Sequence, residues 1–157
     1  MLTSYGVTLP DQLSNIRKNA MACPALPTCG LAISESERVF PSVIDEIGKK
    51  AAELGFGDQK IIIRMTGCPN GCARPYNAEI AFVGRTVGTY NIYVGGNLSG
   101  DRLNFLVAEK ISYKQLAKKV EPLLKLYQGE RKPDEGFGDF THRLGVERVK
   151  SLIKLIE

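Results

Sequence analysis

Residues 60–83 read KIIIRMTGCPNGCARPYNAEIAFV, two short apolar runs separated by a turn that carries two cysteines. Lys60–Met65 is rich in β-branched residues, and Ala78–Val83 is a second apolar run bounded by turn residues. Runs of this kind are typical of buried strands. The proline and glycine between Cys68 and Cys72 disfavour a regular helix there. This stretch therefore predicts a cysteine turn next to two strands.

The rest of the chain adds a strand and three helices. Tyr90–Val94 is a third strand-like run, and helices are predicted over about 41–54, from Ser112 and from about Gly145. Ser112 and Gln115 have the spacing of a capping box. Residues predicted to face inward in the last two helices are Leu116, Val120, Leu123, Leu124, Tyr127, Val146, Val149, Leu152, Ile153 and Ile156. The pattern predicts an α+β fold, a small mixed β-sheet flanked by helices, with the cysteine loops at the sheet edge.

Length and charge narrow the class of protein. We expect residues 1–157 to form a single domain, because the linker-like stretch 128–138 is too short to separate two domains. No segment has the roughly 18 apolar residues of a membrane span, and the N-terminus lacks the features of a signal peptide. Lys and Arg total 21 against 17 Asp and Glu, which is not a nucleic-acid-binding composition. We expect a cytoplasmic protein, or a stromal one if its parent carries a transit peptide, with no membrane and no nucleic acid as partner.

The four cysteines form two pairs separated by a gap of 38 residues, Cys23 and Cys29 in CPALPTC and Cys68 and Cys72 in CPNGC. They are too few for a disulfide scaffold, so we interpret them as metal or redox ligands. Zinc ribbons usually use C-x2-C pairs, and the wider spacing favours an iron-sulfur cluster. Pro69 after Cys68 further predicts a short helix that begins at Cys68. A zinc-stabilised interaction module and inert buried cysteines stay open as alternatives.

The chain resembles the C-terminal part of siroheme-dependent sulfite and nitrite reductases, from IRKNAMACPALPTCGLAISESERVFPS through RMTGCPNGCARPYNAEIAFVG and YNIYVGG to EGFGDFTHR. The resemblance implies that Cys23, Cys29, Cys68 and Cys72 hold a 4Fe-4S cluster and that Cys72 also touches the iron of an adjacent siroheme. It implies reduction of sulfite to hydrogen sulfide in six electrons. Enzymes of this family are several times longer, and their cationic substrate contacts come largely from the N-terminal half. We therefore expect a fragment that needs the N-terminal half of the same reductase and is inactive alone.

The turn CPNGCARPY resembles assimilatory sulfite reductases, particularly the ferredoxin-dependent branch, whereas nitrite-reducing relatives tend to have a CPNSCGQ-like turn. We expect sulfite as substrate and ferredoxin as electron donor. A ferredoxin-dependent nitrite reductase domain and a stand-alone iron-sulfur electron carrier are the alternatives. Basic residues that are able to face an acidic ferredoxin are Lys118, Lys119, Lys125, Arg131 and Lys132. Lysines on the outer face of a helix are more often a solvated surface.

Polar residues near the cysteines are candidates for cofactor contacts. They are Asn70, Arg74, Thr28 and Thr66, together with Arg64 and Asn77. A guanidinium pairs well with a siroheme carboxylate, and a hydroxyl or amide near a ligand cysteine is able to tune the cluster. The structural alternative is that Arg64 ends a strand, Arg74 caps turn carbonyls and Asn70 forms a turn. His142, the one histidine of the chain, has no carboxylate or metal motif beside it, and we assign it no catalytic role.

Overall fold

The computed structural model describes residues 3–154, which form a five-stranded mixed sheet in the order β1-β2-β3-β4-β5. The strands are β1 Met21–Ala22, β2 Ile63–Thr66, β3 Ile80–Thr86, β4 Thr89–Val94 and β5 Phe105–Ser112. The first three strands are parallel to one another, and β3, β4 and β5 are joined antiparallel. The predicted mixed sheet is confirmed, with β1 and β5 added to the three predicted strands.

Within residues 3–154, five α-helices accompany the sheet. They are α1 Asn15–Lys18, α2 Phe40–Glu53, α3 Leu116–Glu130, α4 Phe137–Leu144 and α5 Val146–Lys154. Short 3-10 helices occur at Thr3–Tyr5, Pro10–Gln12, Pro75–Asn77 and Tyr113–Gln115. The helix predicted over about 41–54 is confirmed as α2. Across residues 3–154, no helix has the length and apolar character needed to cross a membrane.

The two faces of the sheet have different surroundings. Met65, Phe82 and Ile92 lie opposite one another on neighbouring strands, and they are buried in one core with the apolar faces of α2, α3, α4 and α5. Each large side chain buried in this way contributes about 1.5–3 kcal/mol. The residues next to them along the strands, among them Arg64 and Tyr93, face the other side. On that side, Arg64 bonds to Arg74 and Asn77, and Tyr93 packs on Tyr76, so the chain that follows Cys72 lies there.

Helix ends differ from the predictions in three places. Ser112 precedes the 3-10 helix without a side-chain hydrogen bond, so the capping box does not form. The predicted linker 128–138 overlaps the end of α3 and the start of α4, because aromatic residues at the start of α4 pack on Tyr127. Gly145, with φ 80°, separates α4 from α5, so the last predicted helix begins at Val146 and a further helix precedes it. The predicted inward residue Ile156 lies outside the described residues.

A buried carboxylate joins α4 to the sheet. Glu79 is 1% exposed and accepts hydrogen bonds from the amides of Ile62 and Gly138, both at 2.8 Å. Burial raises the pKa of Glu79 in spite of these hydrogen bonds. At Gly138 an added Cβ would lie 1.8 Å from the carbonyl oxygen of Gly96, so the close approach requires glycine.

Candidate functional site

Both cysteine pairs lie at one edge of the sheet because the strands that precede them are parallel neighbours. Cys23 comes directly after β1, and Cys68 lies two residues after the end of β2. Parallel strands end at the same edge of a sheet. The first cysteine loop, residues 23–36, and the second cysteine loop, residues 67–77, therefore start side by side, at the sheet edge where the sequence predicted them.

The two loops contact each other directly through Gly67. Its amide donates a hydrogen bond to Sγ of Cys23 at 3.3 Å, and its carbonyl accepts from the amides of Ile33 and Ser34 at 3.0 and 2.9 Å. An added Cβ at Gly67 would lie 2.4 Å from the carbonyl oxygen of Ser34 and 2.5 Å from Cβ of Ala25. A side chain does not fit here, so glycine allows the two loops to interlock.

All four cysteines carry free thiols, and their exposure differs. Cys23 and Cys68 are buried, Cys29 is half-buried and Cys72 is exposed. Among residues 3–154, no three His, Cys, Asp or Glu side chains converge closely enough to hold a single metal ion. A 4Fe-4S cluster has a different requirement, since each of its thiolates binds a separate iron atom. Four free thiols on two interlocked loops fit such a cluster in ligand chemistry and in number.

The second cysteine loop is a turn, and the prediction of a helix that begins at Cys68 is wrong. The amide of Arg74 donates to the carbonyl of Gly71 at 2.8 Å, which closes a turn around Cys72. Gly71 and Arg74 have φ values of 75° and 52°, in the left-handed region. Two such residues interrupt a right-handed helix, so helical structure starts only at Pro75.

Arg64 stabilises the second cysteine loop rather than ending a strand. It lies inside β2, and its Nη1 donates to the carbonyl of Arg74 and to Oδ1 of Asn77, both at 2.8 Å. Burial, together with the nearby positive charge of Arg74, lowers the pKa of Arg64. The carboxamide of Asn77 also donates to the carbonyl of Gly100 at 3.1 Å. Nη1 of Arg64 and the carboxamide of Asn77 are therefore engaged within the protein, whereas Nε of Arg64 is not.

The other candidate side chains divide by exposure. Thr28, Asn70 and Arg74 are exposed near the cysteines. Thr66 is buried, and its Oγ1 has no hydrogen-bond partner among the described residues. Nε of Arg64 is buried and unpartnered in the same way. Buried polar atoms normally have partners, so these two atoms next to the second cysteine loop fit a site that a bound group completes.

Tyr76 is a residue of this site that the sequence reasoning missed. Its hydroxyl donates to the carbonyl of Pro69 at 2.9 Å, inside the cysteine turn. Burial raises the pKa of Tyr76, so the hydroxyl keeps the proton that it donates. The available signal was a tyrosine four residues after Cys72, but its direction depends on the left-handed residue Arg74, which the sequence does not reveal.

Some of the basic residues predicted to face the electron donor ferredoxin make contacts within the chain instead. Nζ of Lys125 pairs with Glu121 at 2.9 Å, and the guanidinium of Arg131 lies 5.1 Å from the ring centroid of Tyr127. Lys119 lines a groove of about 350 Å³ between β5 and α5. The contacts of Lys125 and Arg131 favour a structural role for these two residues.

His142 is exposed on α4.

Apolar side chains are exposed around the cysteine loops. Leu31 in the first loop is 73% exposed, and Ile33 is partly exposed beside it. Val87, at the turn between β3 and β4, is 83% exposed, and this turn is bonded to the first loop through Ser34, whose hydroxyl donates to the carbonyl of Thr86 at 2.6 Å. Exposed apolar residues grouped in this way are typical of a surface that another molecule covers.

Comparison with known families assigns the chain. Residues 14–156 match the nitrite and sulphite reductase 4Fe-4S domain, and the match includes both cysteine loops. The chain belongs to this family. The match confirms the family that the sequence resemblance indicated, the nitrite and sulphite reductase 4Fe-4S domain.

This 4Fe-4S domain is similar to curated proteins that are much longer. It is 51% identical over 146 residues to the sulfite reductase (NADPH) hemoprotein beta-component of Chromohalobacter salexigens, covering 93% of the chain and 25% of that protein. It is 49% identical over 150 residues to the protein of the same name from Staphylococcus carnosus, and the match covers 95% of the chain and 26% of that protein. The 4Fe-4S domain described here thus spans about a quarter of the length of these relatives.

Solved structures share the fold. The structure of Mycobacterium tuberculosis NirA protein aligns with a TM-score of 0.78 at 22% identity, covering 94% of this chain and 29% of that one. The crystal structure of dissimilatory sulfite reductase I (DsrI) aligns with a TM-score of 0.64 at 13% identity, and the alignment covers 87% of this chain and 52% of that one. At these identities the likeness concerns the fold, and it confirms the predicted fold class.

The family and its hemoprotein relatives support the two cofactors expected from the sequence, a 4Fe-4S cluster and siroheme. They also support the expectation of a sulfite reductase domain. Ferredoxin dependence stays a prediction, and the relatives named above are NADPH-type proteins.

Proposed function

We propose that this 4Fe-4S domain is the cluster-bearing domain of a sulfite reductase that converts sulfite to hydrogen sulfide in six electrons. Cys23, Cys29, Cys68 and Cys72 hold the cluster, and Cys72 is shared with the iron of siroheme. The observation that carries the proposal is the interlock of the two cysteine loops through Gly67. When bound, the cluster supplies electrons one at a time and the siroheme iron binds the anion.

The residues of this chain have separate tasks in the proposal. The buried thiols of Cys23 and Cys68 anchor the cluster on the protein side, and the exposed thiol of Cys72 is the one accessible to a second cofactor. Gly67 donates its amide to Sγ of Cys23, which stabilises the thiolate form. Thr66, whose hydroxyl is unpartnered among the described residues, is a candidate donor to a cluster or cofactor atom.

The rest of the site comes from outside this chain in our proposal. The relatives are about four times as long as the matched region, and the exposed apolar residues Leu31 and Val87 flank the cysteine loops. We propose that the N-terminal half of the same reductase covers this surface, completes the siroheme site and binds sulfite. A reducing compartment, the cytoplasm or a plastid stroma, suits such a thiolate site.

Two electron donors are candidates. The names of the relatives favour an NADPH-linked partner protein. Ferredoxin is the second candidate, favoured by the form of the CPNGCARPY turn and by exposed cations such as Lys118 on α3. Supplying each donor in turn to the complete reductase, and measuring sulfide, separates the two.

The test of the cluster is anaerobic reconstitution of the 157-residue chain with iron and sulfide. We expect a brown protein with broad visible absorbance and iron and sulfide in equal amounts. A colourless protein that binds one zinc ion tightly would instead support the zinc-stabilised module. An iron-sulfur protein that exchanges electrons but shows no affinity for siroheme, alone or with the rest of the reductase, would support the stand-alone carrier.

A further inference from the structure

The turn between Cys68 and Cys72 keeps its shape without helical or strand hydrogen bonds. Pro69 has no backbone N–H, and the side chain of Asn70 is exposed. At its end, the amide of Arg74 donates to the carbonyl of Gly71 at 2.8 Å. Next to Cys68, the carbonyl of Pro69 accepts a hydrogen bond from a side chain, the hydroxyl of Tyr76, at 2.9 Å. The conformation of the backbone next to Cys68 therefore depends on the position of this hydroxyl.

Tyr76 is itself held from three sides. Its ring lies against Gly71, where an added Cβ would be 3.2 Å from ring atom Cε2. The ring also packs edge to face on Tyr93 of β4, with centroids 5.7 Å apart and planes at 88°. Its backbone carbonyl accepts a hydrogen bond from the amide of Asn104 at 2.8 Å. Tyr76 thus connects the cysteine turn to the antiparallel part of the sheet.

We infer that Tyr76 is a positioning residue for the cluster, an inference that rests on the proposed function. A peptide unit is planar, so the bond that holds the carbonyl of Pro69 also fixes the direction of the Asn70 amide on the opposite side of that unit. Amides and dipoles around the sulfurs help to set the reduction potential of an iron-sulfur cluster. Tyr76 sets this potential through the backbone and does not itself contact the cluster.

The first test compares Tyr76→Phe with the wild-type chain, both reconstituted with iron and sulfide. Phenylalanine keeps the ring that packs on Gly71 and Tyr93, and it lacks the hydroxyl that donates to the carbonyl of Pro69. We expect a more negative midpoint potential in a redox titration followed by electron paramagnetic resonance, because a loosened turn loses amides that favour the reduced, more negative cluster. We also expect transfer of iron to a chelator to be about two- to tenfold faster, the change that one hydrogen bond accounts for.

A second readout needs no cofactor. Cys68 is buried and Cys72 is exposed. Loss of the Tyr76 hydroxyl should increase the rate at which iodoacetamide labels Cys68, followed by peptide mass spectrometry. Labelling of Cys29, in the other loop, should keep the wild-type rate. Circular dichroism of each variant checks that the fold is retained.

Tyr93→Phe is the matched control, since it removes a hydroxyl that makes no hydrogen bond within residues 3–154 from the ring that packs on Tyr76. It should keep the wild-type potential and labelling rates. A wild-type chain that binds no cluster would contradict the proposed function, and the labelling experiment would still test Tyr76. A wild-type chain that binds the cluster, with the same potential in Tyr76→Phe, would overturn the inference.

Discussion

Cys29 is the half-buried member of the first cysteine pair, and its replacement tests the ligand set at the scale of one residue. In the reconstituted chain, Cys29→Ser should reduce cluster content to a small fraction of the wild-type value, because a hydroxyl is a poor ligand for iron that prefers thiolate. Iron and acid-labile sulfide per chain measure the effect. Leu31→Ser places the same side chain at an exposed position two residues later and should keep full cluster content. Equal content in both variants would remove Cys29 from the ligands.

Glu135 is expected to make the stability of the fold depend on pH. Its carboxylate accepts hydrogen bonds from Nε and Nη2 of Arg143 at 2.6 and 2.7 Å, and this pairing lowers its pKa from 4.5 to about 2. Because the folded pKa is below the unfolded one, the stabilisation is present above about pH 4.5 and is lost as the pH falls toward about 2. Urea midpoints should therefore decline through this range. Glu135→Gln should make the decline shallower, and an unchanged decline would exclude Glu135 as a contributor.

Some residues of the candidate site could be predicted from the sequence, and the contacts of others could not. The four cysteines could be selected as candidate ligands because their spacing and their prolines are local features, and their role as ligands stays a prediction. The contact of Arg64 with Asn77 could not, since it depends on the path of the loop between them. The same holds for the hydroxyl of Tyr76, whose contact with Pro69 depends on the path of a turn that contains the left-handed residue Arg74.

At the scale of elements, the contact between α4 and the sheet depends on Gly138. Gly138→Ala should destabilise the fold by roughly 1–3 kcal/mol, because the new methyl group would overlap the carbonyl oxygen of Gly96 and press on Glu79. Urea unfolding measures the change. Gly129→Ala in α3 is the control, since nothing lies within 4 Å of an added Cβ there, and it should leave stability unchanged or raise it by up to about 1 kcal/mol. Equal effects of the two substitutions would contradict the packing argument.

The strands that the sequence did not predict have identifiable reasons. β1 has only two residues, Met21–Ala22, which is too short for any periodicity to appear. In β5 the alternation is broken near Lys110, whose φ is 55° and whose amide donates to Oδ1 of Asn91 at 3.2 Å. This irregularity changes which side chains face the core, so a period of two is lost. Pairing with β4, rather than local sequence, stabilises β5.

At the scale of the whole molecule, we predict that this chain alone does not reduce sulfite at the rate of the complete enzyme. It spans about a quarter of its relatives, and large anionic cofactors and substrates need charge-assisted contacts from several sides. The test reconstitutes the chain with iron, sulfide and siroheme, adds reduced viologen and measures sulfide. Addition of the remaining part of the reductase is the positive control. Turnover by the chain alone at the rate of the complete enzyme would show that the domain is a sufficient catalyst.

The parallel pairing of β1 with β2 has a consequence for the order of events during synthesis. Ala22 finds its partner Met65 only about 40 residues later in the chain. At about 5–20 residues per second, the ribosome needs several seconds to supply that partner. During this interval Cys23 and Cys29 have been made, but the strand β2 and the second cysteine loop have not. In the four-cysteine site that we propose, the cluster is therefore inserted only after the second pair has been made, and the first pair has to stay reduced until then.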